Sequence, residues 1–469
     1  MGELKKVLKL RTIISTSAGM AIATSCYLAG IQVATIMVGE LAWISILLAG
    51  LLCLLSSMCF SELTSLYPTA AGIKLYIQHA FNERTSIIIG MFYVVLGIAM
   101  VGAESYLLSS VLSGTFTIFD PFYDRLFWML LFILLVVCIN LRGVFITGVV
   151  QDILTYAMVA FMLAVSAYTF ATHDFSIGMA VTSAKFTAGN VVQAAAVGVF
   201  LYVGYEWVAP LAEETTDYRL IGRGMMWAIG LLSVTYALFV TAMYTGLTQE
   251  QLAGGTPIPH IVFGNNLFGT AGTVTFISMS ILASVTSFNS GLLNTSRFSY
   301  AMGRDNVLPR IFSRLHPKYA TPWVAILFLG ALAVAISLAT LLTGKYLFLI
   351  LMAAALECFI YVVVAVCVIR LRKKQPDTER AYKIPLGYTV PVLVIVVFTG
   401  LMIGIFTDVS RDYAGRELFK NYWVAVVMGG FMLVTAFYAL VVVPFLKNKA
   451  EERSKARVRR RPGRAGAEG

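Results

Sequence analysis

Charge is what this sequence has least of. Asp, Glu, Lys and Arg make up 13% of the residues, where water-soluble domains average roughly 25%. Apolar side chains make up 59%, so water is not the main solvent of this chain. Histidine is nearly absent: His79, His173, His260 and His316 lie in or near expected loops and show no metal-ligand spacing, which argues against an intramembrane enzyme built on histidine or a metal. The cysteines are as uninformative. Cys26, Cys53, Cys59, Cys138, Cys358 and Cys367 all fall in apolar runs, where a small buried thiol is expected rather than a disulfide or a metal ligand. No G-x-x-x-x-G-K-[ST] loop is present, so the chain lacks the signature of ATP-driven pumping. Nothing in it calls for a cofactor.

What is there is a series of long apolar runs. A bilayer core of about 30 Å needs roughly 20 apolar residues per helix, and twelve segments meet that demand: 12–38, 41–64, 85–112, 126–142, 145–171, 189–211, 223–247, 267–300, 322–343, 346–370, 388–408 and 422–446. Barrel strands would alternate polar and apolar over about ten residues, and these runs do not. The fold expected is an all-α integral membrane protein, with residues 1–11 as a short N-terminal segment, 12–446 as the transmembrane domain and 447–469 as a disordered basic tail attracted to anionic lipid. The first apolar run continues past 20 residues without a small-residue cleavage site and is expected to be the first span rather than a removed leader.

A net charge of +11 invites a nucleic-acid reading until the charges are located. With the N-terminus inside, only Arg125, Lys185, Lys345, Arg411, Arg416 and Lys420 fall outside, and every other Lys and Arg lies on the inner side. The positive-inside rule then puts both termini in the cytoplasm of a multi-pass plasma-membrane protein. The basicity is topology, not nucleic-acid binding.

Span one contains Gly19, then Ala23-Thr24-Ser25, then Gly30; span six contains Gly198, Gly204 and Pro210. Breaks at corresponding positions of two halves point to an inverted-repeat transporter, because unwound backbone exposes N–H and C=O groups where it lines a cavity. Small residues that only let helices approach closely are the competing reading. Four stretches add what periodicity cannot. Residues Ser296 to Pro322 (SRFSYAMGRDNVLPRIFSRLHPKYATP), Ser61 to Phe81 (SELTSLYPTAAGIKLYIQHAF), Val203 to Glu214 (VGYEWVAPLAEE) and Arg370 to Pro385 (RLRKKQPDTERAYKIP) follow one another in the right order. Together they resemble the amino acid, polyamine and organocation (APC) superfamily of permeases over nearly the whole chain.

That resemblance implies two inverted five-helix repeats plus two further helices, discontinuous helices one and six, and transport by alternating access. It also places the substrate at the break of helix one, here Ile22, Ala23, Thr24, Ser25 and Cys26. Family members commonly have Gly-Ser-Gly or Gly-Ala-Gly there, with bare N–H groups facing a substrate carboxylate; Ala23, Thr24 and Ser25 keep the donors but crowd the approach. A lysine that stands in for sodium in some proton-coupled members aligns with Met158, so that device is missing.

Carboxylates inside hydrocarbon are unfavourable by about 2.5 to 3.5 kcal/mol on insertion scales, and three lie in the spans: Glu104 in the third, Glu206 in the sixth and Glu357 in the tenth. Each is either a hydrogen-bonded or protonated structural acid or part of the transport site. Glu206 follows the expected break and matches a family glutamate linked to substrate or proton coupling. No Lys, Arg or His lies deep in those three spans, so a proton or a cationic substrate has to neutralise the acids. Three acids around one cavity would favour a basic amino acid or a polyamine. Tyr202, Tyr205 and Trp207 flank the break, where aromatic faces attract ammonium groups or simply pack. Ser284, Thr286, Ser287, Asn289, Ser290 and Asn294 in span eight carry oxygens that suit sodium, although such side chains more often bond within and between helices. Proton coupling or exchange is therefore favoured over sodium. The chain reads as a secondary transporter of amino acids or related amines and not as an enzyme, with cationic substrates slightly preferred. A neutral amino acid permease, or a transporter-like sensor signalling through its tail, remains open.

Overall fold

A computed structural model describes residues 6–23, 26–27, 30–31, 39–173, 194–195, 198–253, 258–407, 409–411 and 417–449. The chain is almost entirely helical and largely membrane-spanning. In order, its helices are α1 (Leu10–Ala21), α2 (Ala42–Leu66), α3 (Gly72–Ala80), α4 (Glu83–Ser113), α5 (Pro121–Leu141), α6 (Val144–Thr172), α7 (Arg219–Gly246), α8 (Gln249–Ala253), α9 (Pro259–Arg304), α10 (Trp323–Thr343), α11 (Tyr346–Lys374), α12 (Thr389–Thr407) and α13 (Tyr422–Phe437). A 3-10 helix, Tyr205–Glu214, stands where the sixth span is expected. Among the described residues, nine helical segments are long and apolar enough to cross a bilayer. Their outward faces confirm the solvent: Leu130, Leu134, Val396, Leu433 and Phe437 all point away from the protein, an arrangement that water would penalise and hydrocarbon does not.

Local chemistry sets the helix ends. The Asn82 side chain accepts the Thr85 N–H at 2.9 Å and caps α4. Pro121 and Pro259 occupy first-turn positions, where the missing N–H has no intrahelical role. Gly344, at φ 68°, closes α10 in the left-handed region.

Several elements differ from the sequence reading. Residues 72–80 form a helix too short to span, and no apolar run of membrane length announces it. Val409–Arg411 and Glu417–Lys420 pair as two short antiparallel strands, β1 and β2, between the last two spans of an otherwise all-α fold. Helix α9 begins at Pro259 and bends at Gly269 (φ 58°, ψ −141°), which folds its first ten or so residues back onto the remainder. That fold buries His260 completely rather than leaving it in a loop.

Helices α1, α2 and α7 pack with the 3-10 helix as one group, and α4, α5, α9 and α10 as another. Helix α6 lies along α1, α7 and α9. Gly19 and Gly198 lie inside helical turns, where an added Cβ would meet Gln151 at 1.9 Å or Ala49 at 2.9 Å, so both serve close packing. The backbone departs from helix elsewhere.

Candidate substrate site

Helix α1 stops at Ala21. Ile22 is extended (φ −80°, ψ 97°), with its N–H on the Ala18 carbonyl. Ending a helix inside the protein strands its last carbonyls, and side chains from other helices supply donors. The Ser287 hydroxyl donates to Met20 O at 2.9 Å, and the Tyr236 hydroxyl and the Cys26 thiol both donate to Ala21 O at 2.9 Å. Ala23 is buried and accepts the Cys26 N–H at 3.0 Å. Thr24 and Ser25 lie outside the described residues.

The second break is carried by Gly204. At φ 108° it adopts a backbone that side chains rarely tolerate, and an added Cβ would stand 2.3 Å from Met20. Residues 201–204 form turns and the chain resumes as the Tyr205–Glu214 3-10 helix, which projects Tyr205, Glu206 and Trp207 in succession. The two breaks touch: the Ser17 hydroxyl of α1 donates to Tyr205 O at 2.6 Å.

Glu206 is fully buried. The Tyr361 hydroxyl donates to its Oε2 at 3.1 Å, while its Oε1 has no hydrogen-bond partner among the described residues. Glu357, also fully buried, lies one turn before Tyr361 on the same face of α11. Its two carboxyl oxygens have no hydrogen-bond donor among the described residues. The two acids lie beside each other and interact electrostatically. Around them stand Cys53 of α2 and Tyr93 of α4. Trp207 stacks on Tyr93 at 4.3 Å and occupies the space that Gly97 leaves by having no side chain. Tyr205 lies between Phe60 at 6.3 Å and Tyr361 at 5.6 Å. The Tyr93 hydroxyl and the Trp207 Nε1 are buried without hydrogen-bond partners among the described residues.

Glu104 belongs to a different cluster. The Ser284 hydroxyl of α9 donates to its Oε1 at 2.7 Å. Glu104 lies seven residues beyond Gly97 on α4, about 10 Å along the helix at 1.5 Å per residue. Its electrostatic neighbour is Tyr27, whose ring lies 5.0 Å from His260 and 5.7 Å from Phe239. His260 in turn meets the Ser280 hydroxyl at 2.8 Å. Tyr202 also turns aside: its hydroxyl donates to Ile46 O at 2.9 Å and its ring meets Tyr236 edge-on. The structure thus joins Glu206, Glu357, Tyr205 and Trp207, and sets Glu104 and Tyr202 against neighbours of their own.

Sequence reasoning missed Tyr93, Tyr361, Tyr27 and Tyr236. The four-residue spacing of Glu357 and Tyr361 was a usable signal; the others have none. In span eight, Thr286 bonds back to Leu282 O and Ala283 O and touches the Met158 sulfur at 3.9 Å, and Ser290 donates to Thr16 O at 2.8 Å.

Acids at the other level of the molecule are paired. Arg297 meets Glu214 at 3.0 Å, both buried, and Arg304 grips Glu213 through two bonds at 3.0 and 2.7 Å. Glu62 binds Arg372 and accepts the Ile384 N–H at 2.9 Å. Burial alone would raise the Glu213 carboxyl, but the Arg304 guanidinium and the Ala70 N–H together hold it below its ordinary value.

The sequence pattern that defines the family described as "Amino acid permease" matches residues 10–432. A branched-chain amino acid permease of Bacillus subtilis (strain 168) is 26% identical over 378 residues, covering 75% of this chain and 78% of its own. A methylthioribose transporter of the same organism is 25% identical over 401 residues, covering 80% and 83%. A chloroplastic cationic amino acid transporter of Arabidopsis thaliana is 24% identical over 361 residues, covering 72% and 61%.

Proposed function

From the premise that this chain belongs to the amino acid permease family of the APC superfamily, we propose that it moves a cationic amino acid or polyamine across the plasma membrane by alternating access. Multi-pass membrane transport, not catalysis, is the activity of the family. The finer reading has twelve helices, two inverted five-helix repeats, cytoplasmic termini, and a site at the breaks of helices one and six. In that site the helix-one break beginning at Ile22 meets the amino acid moiety, Tyr205 and Trp207 flank the amine, and Glu206 and Glu357 supply negative charge, while Tyr202 and Glu104 stand outside it against Ile46 and Ser284. One observation carries the preference for cations: two fully buried carboxyls, Glu206 and Glu357, with three oxygens unpartnered among the described residues. An uncompensated buried carboxylate is strongly unfavourable, so its ligand is a proton or a cation.

Similarity to a branched-chain amino acid permease favours a second reading, a neutral amino acid permease in which the same acids carry only protons. Similarity to a cationic amino acid transporter favours the first. Thermal unfolding of the purified protein against L-lysine, L-arginine, putrescine and L-leucine separates them, because a ligand bound only by the native state raises its apparent stability. Uptake of the stabilising compound into proteoliposomes establishes transport, and no uptake of any of them would sink the reading. Coupling is assigned to protons or to exchange rather than to sodium. The Ser287 hydroxyl is engaged with Met20 O, so uptake persists when sodium is exchanged for choline. A strict sodium requirement would overturn that assignment.

A further inference from the structure

Neighbouring carboxyls cannot both stay ionised in a low-dielectric site, because like charges at short range raise the energy of the doubly charged form. Glu206 and Glu357 meet that condition from two separate elements, the 3-10 helix and α11. Among the described residues, the titratable groups facing them are Cys53 from α2, Tyr93 from α4, Tyr205 from the 3-10 helix, and Cys358 and Tyr361 from α11. No lysine, arginine or histidine is among these. The Tyr93 hydroxyl is completely buried, has no hydrogen-bond partner among the described residues, and lies within electrostatic range of both carboxyls. A donor left unpaired beside acceptors left unpaired marks a place that a ligand completes.

We propose that Glu206 and Glu357 act as one unit that holds a single proton between them when no amine is bound, and that this proton and the ammonium group of the substrate are alternative occupants. The proposal rests on the cationic reading above and adds the second acid and the direction of coupling. The charges balance. The empty pair carries one proton and a net charge of minus one. The loaded pair carries two carboxylates and one ammonium, again minus one. The displaced proton leaves to whichever side is open, so one monovalent cation exchanges for one proton without net charge movement. A substrate that presents a second charge to the site would make the exchange electrogenic. The proton is shared by two acids contributed by separate elements, so any motion of one against the other alters how tightly it is held.

The test is calorimetric titration of the full-length protein with L-lysine and with putrescine from about pH 6 to about pH 8, in two buffers of different ionisation enthalpy. Linkage to one proton makes affinity rise about tenfold per pH unit in the range where the pair is protonated. It also releases about one proton per amine bound. Glu357→Gln removes the partner whose charge holds the proton at neutral pH, so its affinity stays flat across that range and no higher than the acid-end value of the unaltered protein. Glu357→Asp restores the slope. An infrared spectrum of the ligand-free protein provides an arm independent of substrate: a protonated-carboxyl band at neutral pH that is altered in both Glu206→Gln and Glu357→Gln. Binding without proton release, a slope unchanged in Glu357→Gln, or a carboxyl band indifferent to Glu357 overturns the shared proton while leaving the cationic reading intact. Failure of both cations to bind overturns the two together.

Discussion

Acids in this molecule are handled in two opposite ways, according to where they lie. At the end bearing the basic loops, Glu62, Glu213, Glu214, Asp152 and Asp305 each meet an arginine or lysine, and these pairs tie together segments far apart in sequence. In the interior, Glu206 and Glu357 meet each other, a tyrosine and an unpaired hydroxyl. The paired acids are fixed, since removing either partner strands a charge. The interior acids meet no cation among the described residues. The contrast separates carboxylates tied to cations of the chain from carboxylates left for the proposed ligand.

The comparison breaks most visibly at Arg297 and Glu214, whose side chains are 0% and 1% exposed. Replacing either alone by alanine leaves an unpaired buried charge and lowers stability by about 3 to 5 kcal/mol. Thermal unfolding in detergent reads this. Exchanging both for leucine loses less, and a double variant as unstable as the singles would show that the pair is not acting as one. Glu104→Gln has a smaller effect. Ser284 already supplies a donor to its carboxyl, so affinity for L-lysine falls by less than about tenfold, the equivalent of about 1.4 kcal/mol. A larger loss would move Glu104 into the binding group. Smallest is Arg11→Ala. Arg11 is 71% exposed and Asp152 6% exposed, but Asp152 keeps its hydrogen bonds from the Thr12 and Ser15 hydroxyls when the guanidinium is removed, so this contact with a largely solvated arginine contributes about 0 to 1 kcal/mol. Unfolding and uptake both stay close to the unaltered protein, and a marked change in transport would mean that this contact is a working gate.

Much of the fold was legible, because a bilayer imposes length and composition on every helix it contains. Expected spans such as 322–343 and 388–408 differ by about one residue from Trp323–Thr343 and Thr389–Thr407. Short elements without that constraint escaped: the Gly72–Ala80 helix carries a charge and several polar residues, and the 409–420 hairpin is too brief for an alternating pattern. The glycines were legible only in part. Sequence cannot tell a glycine that permits a left-handed turn, as Gly204 does, from one that admits a neighbouring side chain, as Gly19 does. The individual acids were visible because a carboxylate stands out in an apolar run. Their partnership was not. Glu206 and Glu357 are joined by tertiary packing alone, and nothing local in either segment distinguishes Glu357, which meets Glu206, from Glu104, which meets Ser284.

The most direct test of the account is the affinity of Glu206→Gln for L-lysine and putrescine, measured at a pH where the unaltered protein binds most tightly. Glutamine keeps the shape and the Tyr361 contact while removing the charge, so the variant inserts and folds normally. Loss of a charge-assisted hydrogen bond of about 1.5 to 3 kcal/mol weakens binding roughly 10- to 150-fold and flattens its pH dependence. A variant with unaltered affinity and an unaltered pH profile would make Glu206 a structural acid and contradict the distinction between paired and interior carboxylates.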